Sequence, residues 1–273
     1  MIAKEIDNKI QSLKTDEEIE VFVDERLKEL EEQYCEEKIV GQNYNDQFRD
    51  YISSSIHYKA TDKFGNQDSA DLVYDDKTPY INLIKTLKQT EAYDNYNLFL
   101  QIYNEVNKYL PPPKKGADFE RMDKYFQKQV SIKDIKNSQC GMCSERSGLT
   151  QNLFKFMGRD IELIGGYRND EPHAYNLLYP KGYDNNAAIL IDTSHVLKFL
   201  DNEGNTKYNY PFYKVLKDDE LIQFIENKTV NLDLTTTENE IKGYYPSLNS
   251  YQMKKEDITY TIGHDVVNER YRG

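Results

Sequence analysis

One stretch of the chain, Asn137 to His195, restricts the possible fold more than any other. It opens with a segment of helical spacing, in which Leu149 and Leu153 recur and Gly158 provides a stop signal. Three strand-like segments follow, with the sequences IELIGGY, HAYNLLY and AAILIDT. This half of the chain is therefore predicted to combine a helix with consecutive strands.

The residues before this stretch read as mainly helical. Ile2, Ile6, Ile10 and Leu13 form one helical stripe, and Thr15 with Glu18 spells a capping box that opens a second helix. Residues 41–80 are polar and broken, and helical spacing returns over 80–87 and 93–110. A triple proline at 111–113 then stops the helix.

The proline run suggests a division into two parts. We predict a helical N-terminal region over 1–110 and a catalytic domain over 117–273, the boundary lying at 111–116. Within the second part, a short helix is expected around 119–129, another over 218–227 and a strand over 258–262.

Composition excludes several classes of protein. The net charge of −12 and the pI near 4.9 argue against nucleic-acid binding, which needs clustered Lys and Arg. The hydrophobic fraction is only 38%, but 23 Tyr and 11 Phe supply rings that can build a core. No apolar run is long enough for a secretory signal or a membrane span. Three cysteines, an odd number, predict a reducing compartment, and we expect the cytoplasm.

Cys143 stands at the predicted start of the helical segment, two residues after Gly141. The N–H groups and the macrodipole at a helix N-terminus favour an anion, and the thiolate is the form of cysteine that attacks carbonyl carbons. A cysteine taken alone is more often a buried, inert side chain. The residues that the fold brings beside it decide between the two interpretations.

His173 begins one predicted strand and Asp192 ends the next, with the turn sequence PKGYDNN between them. A hairpin that pairs Tyr179 with Asn186 sets His173 directly opposite Asp192, with Cβ atoms about 5 Å apart on the same face. A carboxylate there orients the imidazole, stabilises its charged form and leaves the second ring nitrogen for a thiolate. Together with Cys143, the pair predicts a catalytic triad.

The segments GMCSERSGLTQNLFKFMG, IELIGGY, HAYNLLY and LIDTS resemble, in this order, the core of the transglutaminase-like branch of the papain-type fold. The resemblance covers residues 137–195 and implies an α+β fold, in which a central helix packs on an antiparallel sheet. Carried over, Cys143 is the nucleophile, His173 the general base and then acid, and Asp192 the orienting group. The family implies a thiol-dependent enzyme acting on amide bonds, a cysteine peptidase or a glutamine acyltransferase or deamidase, with no metal or cofactor.

The resemblance also directs attention to residues around the triad. The backbone N–H of Cys143 is one oxyanion donor, and the side-chain amides of Gln139 and, less favoured, Asn137 are candidates for the second. Tyr175 stands where many members of the family have Trp, beside the imidazole. We expect Tyr175 and His195 to line the rim of the site.

The sequence CGMC, residues 140–143, has two other interpretations. A thioredoxin-like redox pair needs a preceding strand, whereas KDIKNSQ is polar. A zinc site needs two further close ligands, and spacing gives neither Cys35 nor His195 a partner. Cys140 is therefore interpreted as structural.

Two other functions remain open. A CoA-dependent arylamine-type N-acetyltransferase shares the triad and a Cys-Xaa-Glu start like Cys143 to Glu145, but has Arg-Gly-Gly before its cysteine, where this chain has Ser-Gln-Cys-Gly. A non-catalytic interaction protein that kept the fold would use the helical N-terminal region to dock a partner. The favoured partner is a peptide or protein substrate, with no nucleic acid and no membrane.

Overall fold

A computed structural model describes residues 3–40, 55–61, 67–89, 95–111, 129–159, 161–168, 171–178, 187–200, 206–227, 229–230 and 235–236, with a few positions between 113 and 124. The chain combines helices with mainly antiparallel sheets, which is the α+β class predicted. The strand predicted over 258–262, and most of the short helix predicted around 119–129, lie outside the described residues.

The first two helices lie where the sequence predicts them. Helix α1 covers Ala3–Ser12 and helix α2 covers Asp16–Val40. Thr15 and Glu18 form the predicted capping box: Thr15 Oγ1 accepts the N–H of Glu18 at 3.2 Å, and Glu18 Oε2 accepts the N–H of Thr15 at 3.4 Å. Local hydrogen-bonding chemistry thus sets the start of α2.

Two further helices confirm the helical spacing of the N-terminal region. Helix α3 covers Thr78–Gln89 and helix α4 covers Asn95–Tyr109. The Asp76 carboxylate accepts the N–H of Thr78 at 2.9 Å, and Pro79 follows in the first turn, where a missing N–H costs no helical bond.

A small sheet in the N-terminal region was not predicted. Strands β1, Ser55–Thr61, and β2, Gln67–Val73, pair antiparallel, and β2 pairs in parallel with β3, Gln129–Ser131. The region predicted as helical over 1–110 is therefore mixed. In β1, Ile56, Tyr58 and Ala60 alternate with polar residues, which is the two-residue period of a strand, and this signal was missed.

The larger sheet carries the predicted C-terminal strands. Its strands are β4 Ile161–Arg168, β5 Glu171–Leu178, β6 Ala187–Leu200, β7 Thr206–Lys217, β8 Thr229–Val230 and β9 Thr235–Thr236. The three strands predicted from the sequence correspond to β4, β5 and β6. The spatial order is β7-β6-β5-β4-β8, with β9 beside β6. Strands β4 to β7 are antiparallel neighbours, β8 pairs in parallel with β4, and β9 pairs in parallel with β6.

Helix α6, Cys143–Phe156, lies between the sheet and the N-terminal helices; α5, Ile132–Asn137, precedes it, and α7, Asp218–Asn227, follows β7 as predicted. Every side chain of α6 from residue 145 to 156 is buried, including polar ones. The Ser147 hydroxyl donates to the Ala174 carbonyl at 3.0 Å, and the Asn176 amide donates to the Ser147 carbonyl at 3.0 Å. These bonds fix α6 against β5.

The N-terminal helices pack on the C-terminal end of α6. Phe156 lies between Phe22 and Tyr80, with ring centroids 6.0 and 5.1 Å away. Arg26 donates to the carbonyls of Phe156 at 3.0 Å and Lys155 at 3.2 Å. One hydrophobic cluster includes residues from both sides of the predicted boundary at 111–116, and the division into two domains stays a prediction. No helix in the described residues is long and apolar enough to cross a membrane.

Candidate active site

Cys143 is the first residue of α6, as the sequence predicts. The helix begins here because Met142 takes an extended conformation and its N–H donates to Glu145 Oε2 at 2.8 Å. A first-turn N–H has no carbonyl partner within its own helix, so the N–H of Cys143 points out of the helix end. Cys143 is half-buried.

His173 lies near the start of β5 and is 8% exposed. Its Nε2 is 2.8 Å from Asp192 Oδ2, and the Cys143 thiol is a second hydrogen-bond partner of the ring. Because Nε2 bonds the carboxylate, Nδ1 is the nitrogen left for the thiol. The structure thus brings together the sulfur, the imidazole and the carboxylate that the sequence predicts as a triad.

The predicted register of the β5–β6 hairpin is wrong by two residues. Leu178 lies opposite Ile189 and Asn176 opposite Ile191, so continuing this register sets Asp192 opposite Tyr175 and not His173. A shift of two keeps every side chain on its face, so the hydrophobic pattern does not distinguish the two registers. His173 and Asp192 meet diagonally across the pair.

Three groups hold the Asp192 carboxylate, which is 1% exposed. Oδ2 accepts from His173 and lies 3.5 Å from Arg168 Nη1, while Oδ1 accepts the N–H of Ser194 at 2.9 Å. These contacts compensate the cost of burying the carboxylate. Arg168 was missed from the sequence; its signal was a cation one residue beyond the IELIGGY segment.

The surroundings of His173 favour its protonated form. Burial alone lowers the pKa of His173, but the hydrogen bonds and negative charges of Asp192 and Cys143 outweigh it and raise the pKa to about 9. At neutral pH the ring is therefore an imidazolium, hydrogen-bonded to a sulfur at a helix N-terminus.

Tyr175 packs under the imidazole. Its ring centroid is 4.7 Å from that of His173 in an edge-on arrangement, and its hydroxyl donates to the Tyr167 carbonyl at 3.1 Å. Tyr175 is fully buried, so its predicted place on the rim is wrong; Phe224 of α7 covers it at 5.9 Å. Burial, followed by the charge of Asp192, raises the pKa of Tyr175 well above its usual range.

The other predicted site residues lie in two places. Asn137 ends α5 and Gln139 follows in a turn with φ +49°; both side chains are exposed, whereas the triad is largely buried. The carbonyl of Gln139 accepts the N–H of Lys114 at 2.9 Å. His195 lies in β6, three residues after Asp192, and its side chain lies outside the described part of the chain.

The two cysteines of the CGMC sequence differ in environment. Cys140 is fully buried, and its thiol lies 3.7 Å from the Ile135 carbonyl; Cys143 is half-buried. Neither forms a disulfide bond. Among the described residues, no group of three His, Cys, Asp or Glu side chains is arranged to hold a metal ion.

Comparisons with protein-family models, with curated proteins and with solved structures find no match for this chain. The site is therefore interpreted from its own geometry, in which a half-buried thiol at a helix start bonds a charged, buried imidazole.

Proposed function

We propose that this chain is a thiol-dependent enzyme that acts on amide bonds of peptides or proteins, with a transglutaminase-like, papain-type core. The observation that carries the proposal is the His173 imidazole, which bonds the Asp192 carboxylate at 2.8 Å and the Cys143 thiol. A nucleophile, a base and an orienting group in hydrogen-bond contact are the elements of covalent acyl transfer.

The chemistry proceeds in two halves. The Cys143 thiolate attacks the amide carbonyl carbon, and negative charge develops on the carbonyl oxygen, within reach of the N–H of Cys143. The His173 imidazolium gives its proton to the leaving nitrogen as the C–N bond breaks, which leaves a thioester. Water or an amine then attacks the thioester, His173 takes the released proton, and Sγ leaves as the thiolate.

The fold supports this proposal by the way it supplies each group. Cys143 comes from the start of a helix surrounded by protein, His173 from the adjacent strand β5, and Asp192 from β6 beside it. Rigid elements on three sides hold the reacting groups in place before substrate binds. Neither Cys140 nor Cys143 forms a disulfide bond, which fits a reducing compartment, and we place the protein in the cytoplasm.

The test is incubation of the protein with glutamine-containing peptides, with and without a primary amine, read by mass spectrometry. Peptide fragments indicate hydrolysis, conversion of glutamine to glutamate indicates deamidation, and amine incorporation indicates acyl transfer. We expect Cys143→Ala to abolish all three reactions, and Cys140→Ala to retain them because that thiol is buried away from the substrate. Full activity in Cys143→Ala would refute the proposal.

A further inference from the structure

Arg146 is a buried cation one helical turn after the nucleophile. It lies on α6 and is 3% exposed. Its position opposes the helix macrodipole, which favours negative charge near an N-terminus. Burying an arginine there is costly, so its contacts must account for it.

Those contacts connect three elements. Arg146 Nε and Nη2 donate to the Thr193 carbonyl at 3.1 and 2.9 Å. Its two terminal nitrogens also donate to the Leu110 carbonyl and to the side-chain oxygen of Asn107, at the end of α4. These hydrogen bonds of the guanidinium end on neutral oxygens, and Asp192 supplies a negative charge nearby.

Thr193 belongs to a bulge that changes the course of β6. Asp192 lies opposite Phe212 and pairing resumes with Val196 opposite Pro211, so residues 193–195 have no counterpart on β7. Pro211 has no N–H to donate to the ladder, which explains why the pairing breaks here. Bulges redirect side chains next to functional sites.

Helix α6 holds this bulge by a second bond. Thr150 Oγ1 lies 3.0 Å from Thr193 Oγ1, one turn further along the helix than Arg146. The bulge in turn holds the triad carboxylate, because the N–H of Ser194 donates to Asp192 Oδ1 at 2.9 Å. The helix that carries the nucleophile is therefore joined to the backbone that orients the carboxylate.

We infer that Arg146 is a positioning residue for the proposed reaction, which fixes the β6 bulge so that Asp192 faces His173. The inference rests on the proposed function, in which an oriented Asp192 maintains the thiolate–imidazolium pair. Arg146 is expected to touch neither substrate nor the reacting atoms. Lysine cannot replace it, because one ammonium group cannot reproduce the planar fork that bonds Thr193 twice.

The chain offers a matched control in Arg26. It is also buried, 2% exposed, and also donates to two backbone carbonyls, but at the opposite end of α6. Arg146→Lys and Arg26→Lys should both lower the melting temperature. Only Arg146→Lys should change the triad.

Two measurements report on the triad: the rate at which iodoacetamide alkylates Cys143, and the pKa of His173 from an NMR titration. The groups facing His173 are Asp192 on β6, Cys143 on α6 and Tyr175 on its own strand, with Arg168 behind Asp192. At about pH 6 a thiolate needs its imidazolium partner, whereas at about pH 10 thiols ionise without one. We expect Arg146→Lys to slow alkylation about 10- to 100-fold at the lower pH and little at the higher.

A wild-type pH profile and histidine titration in Arg146→Lys would overturn the inference, as would an identical change in Arg26→Lys. Should Arg146→Lys fail to fold, Thr150→Val removes the second anchor of the bulge and is expected to change the profile in the same direction. Neither readout needs an amide substrate. If the wild-type protein turns over no peptide but Arg146→Lys has an altered alkylation profile, the proposed function fails and the positioning role stands. If the wild-type protein is active but Arg146→Lys has an unaltered profile, only the positioning role fails.

Discussion

The two ends of helix α6 are each held by a buried arginine, for different purposes. At the C-terminal end, Arg26 comes from α2 and donates to the carbonyls of Lys155 and Phe156, in the last turn of the helix. At the N-terminal end, Arg146 belongs to α6 and reaches outward to the Thr193 carbonyl. Arg26 fixes the last turn of α6 to α2, whereas Arg146 fixes strand β6 to the first turn of α6.

The C-terminal end of α6 is therefore expected to contribute mainly to stability, and the N-terminal end mainly to the reactivity of Cys143. Aromatic packing and a favourable cation at a helix C-terminus make the far end a source of stability. The near end buries charged side chains that cost stability by themselves, and their hydrogen bonds compensate for that cost. Substitutions at the far end should change the free energy of unfolding, and substitutions at the near end should change reactivity.

The largest expected effect is that of Asp192→Asn. Burial lowers the pKa of His173, and Asp192 is the largest influence that raises it to about 9, so the variant should bring the pKa back toward about 6.5. We expect turnover to fall about 10³- to 10⁴-fold, as when an orienting carboxylate becomes an amide. The measurements are kcat/KM against pH and an NMR titration of His173.

The sign of the accompanying stability change follows from the same shift. A raised histidine pKa stabilises the fold fully below the unfolded value of about 6.5, and this contribution disappears as pH rises through about 9. Asp192→Asn should remove that dependence over this window. Asp76→Asn is the matched control. Asp76 is also a partly buried carboxylate, but it accepts a 2.9 Å hydrogen bond from the Tyr109 hydroxyl and is not part of the triad. An equal loss of activity in Asp192→Asn and Asp76→Asn would contradict the view that only residues at the Cys143 end of α6 control reactivity.

The next effect is expected at the opposite end, from Phe156→Ala. Phe156 is fully buried between Phe22 and Tyr80, so the variant leaves a cavity and should lower the free energy of unfolding by about 3–5 kcal/mol. Denaturant titration measures the loss, and Phe156→Leu is a milder variant for the same assay. Alkylation of Cys143 in the folded fraction should keep its pH profile; an altered profile would mean that the two ends are coupled.

The sequence predicted elements whose signals are local. The capping box of Thr15 and Glu18, the start of α6 at Cys143 and the end of that helix at Gly158 are all set by neighbouring residues. The contact between the His173 and Asp192 side chains also followed, although they are not directly opposite as predicted, because a period of two places both on one face of the sheet.

What the sequence did not predict depends on distant residues. The register of β5 with β6 is one example, because a shift of two residues leaves the hydrophobic pattern unchanged. The polar residues of α6, among them Arg146 and Thr150, show helical spacing without revealing that they are buried. Arg146 and Thr150 both bond Thr193, which lies 47 and 43 positions further along the chain, and only the folded chain brings them together.

The smallest expected effect compares the glycines that flank α6. Gly158 has φ +70°, and a Cβ there would lie 2.9 Å from Ile6 Cδ1 and 3.0 Å from the backbone of Ala3. Gly158→Ala should lower the free energy of unfolding by about 1–3 kcal/mol, because left-handed strain adds to a clash with α1 backbone. At Gly141 the nearest atoms, 3.2 Å away, belong to the Leu110 side chain, which can move. Gly141→Ala should therefore cost less in the same denaturant titration, and an equal or larger cost would show that the nucleophile end is packed as rigidly as the far end.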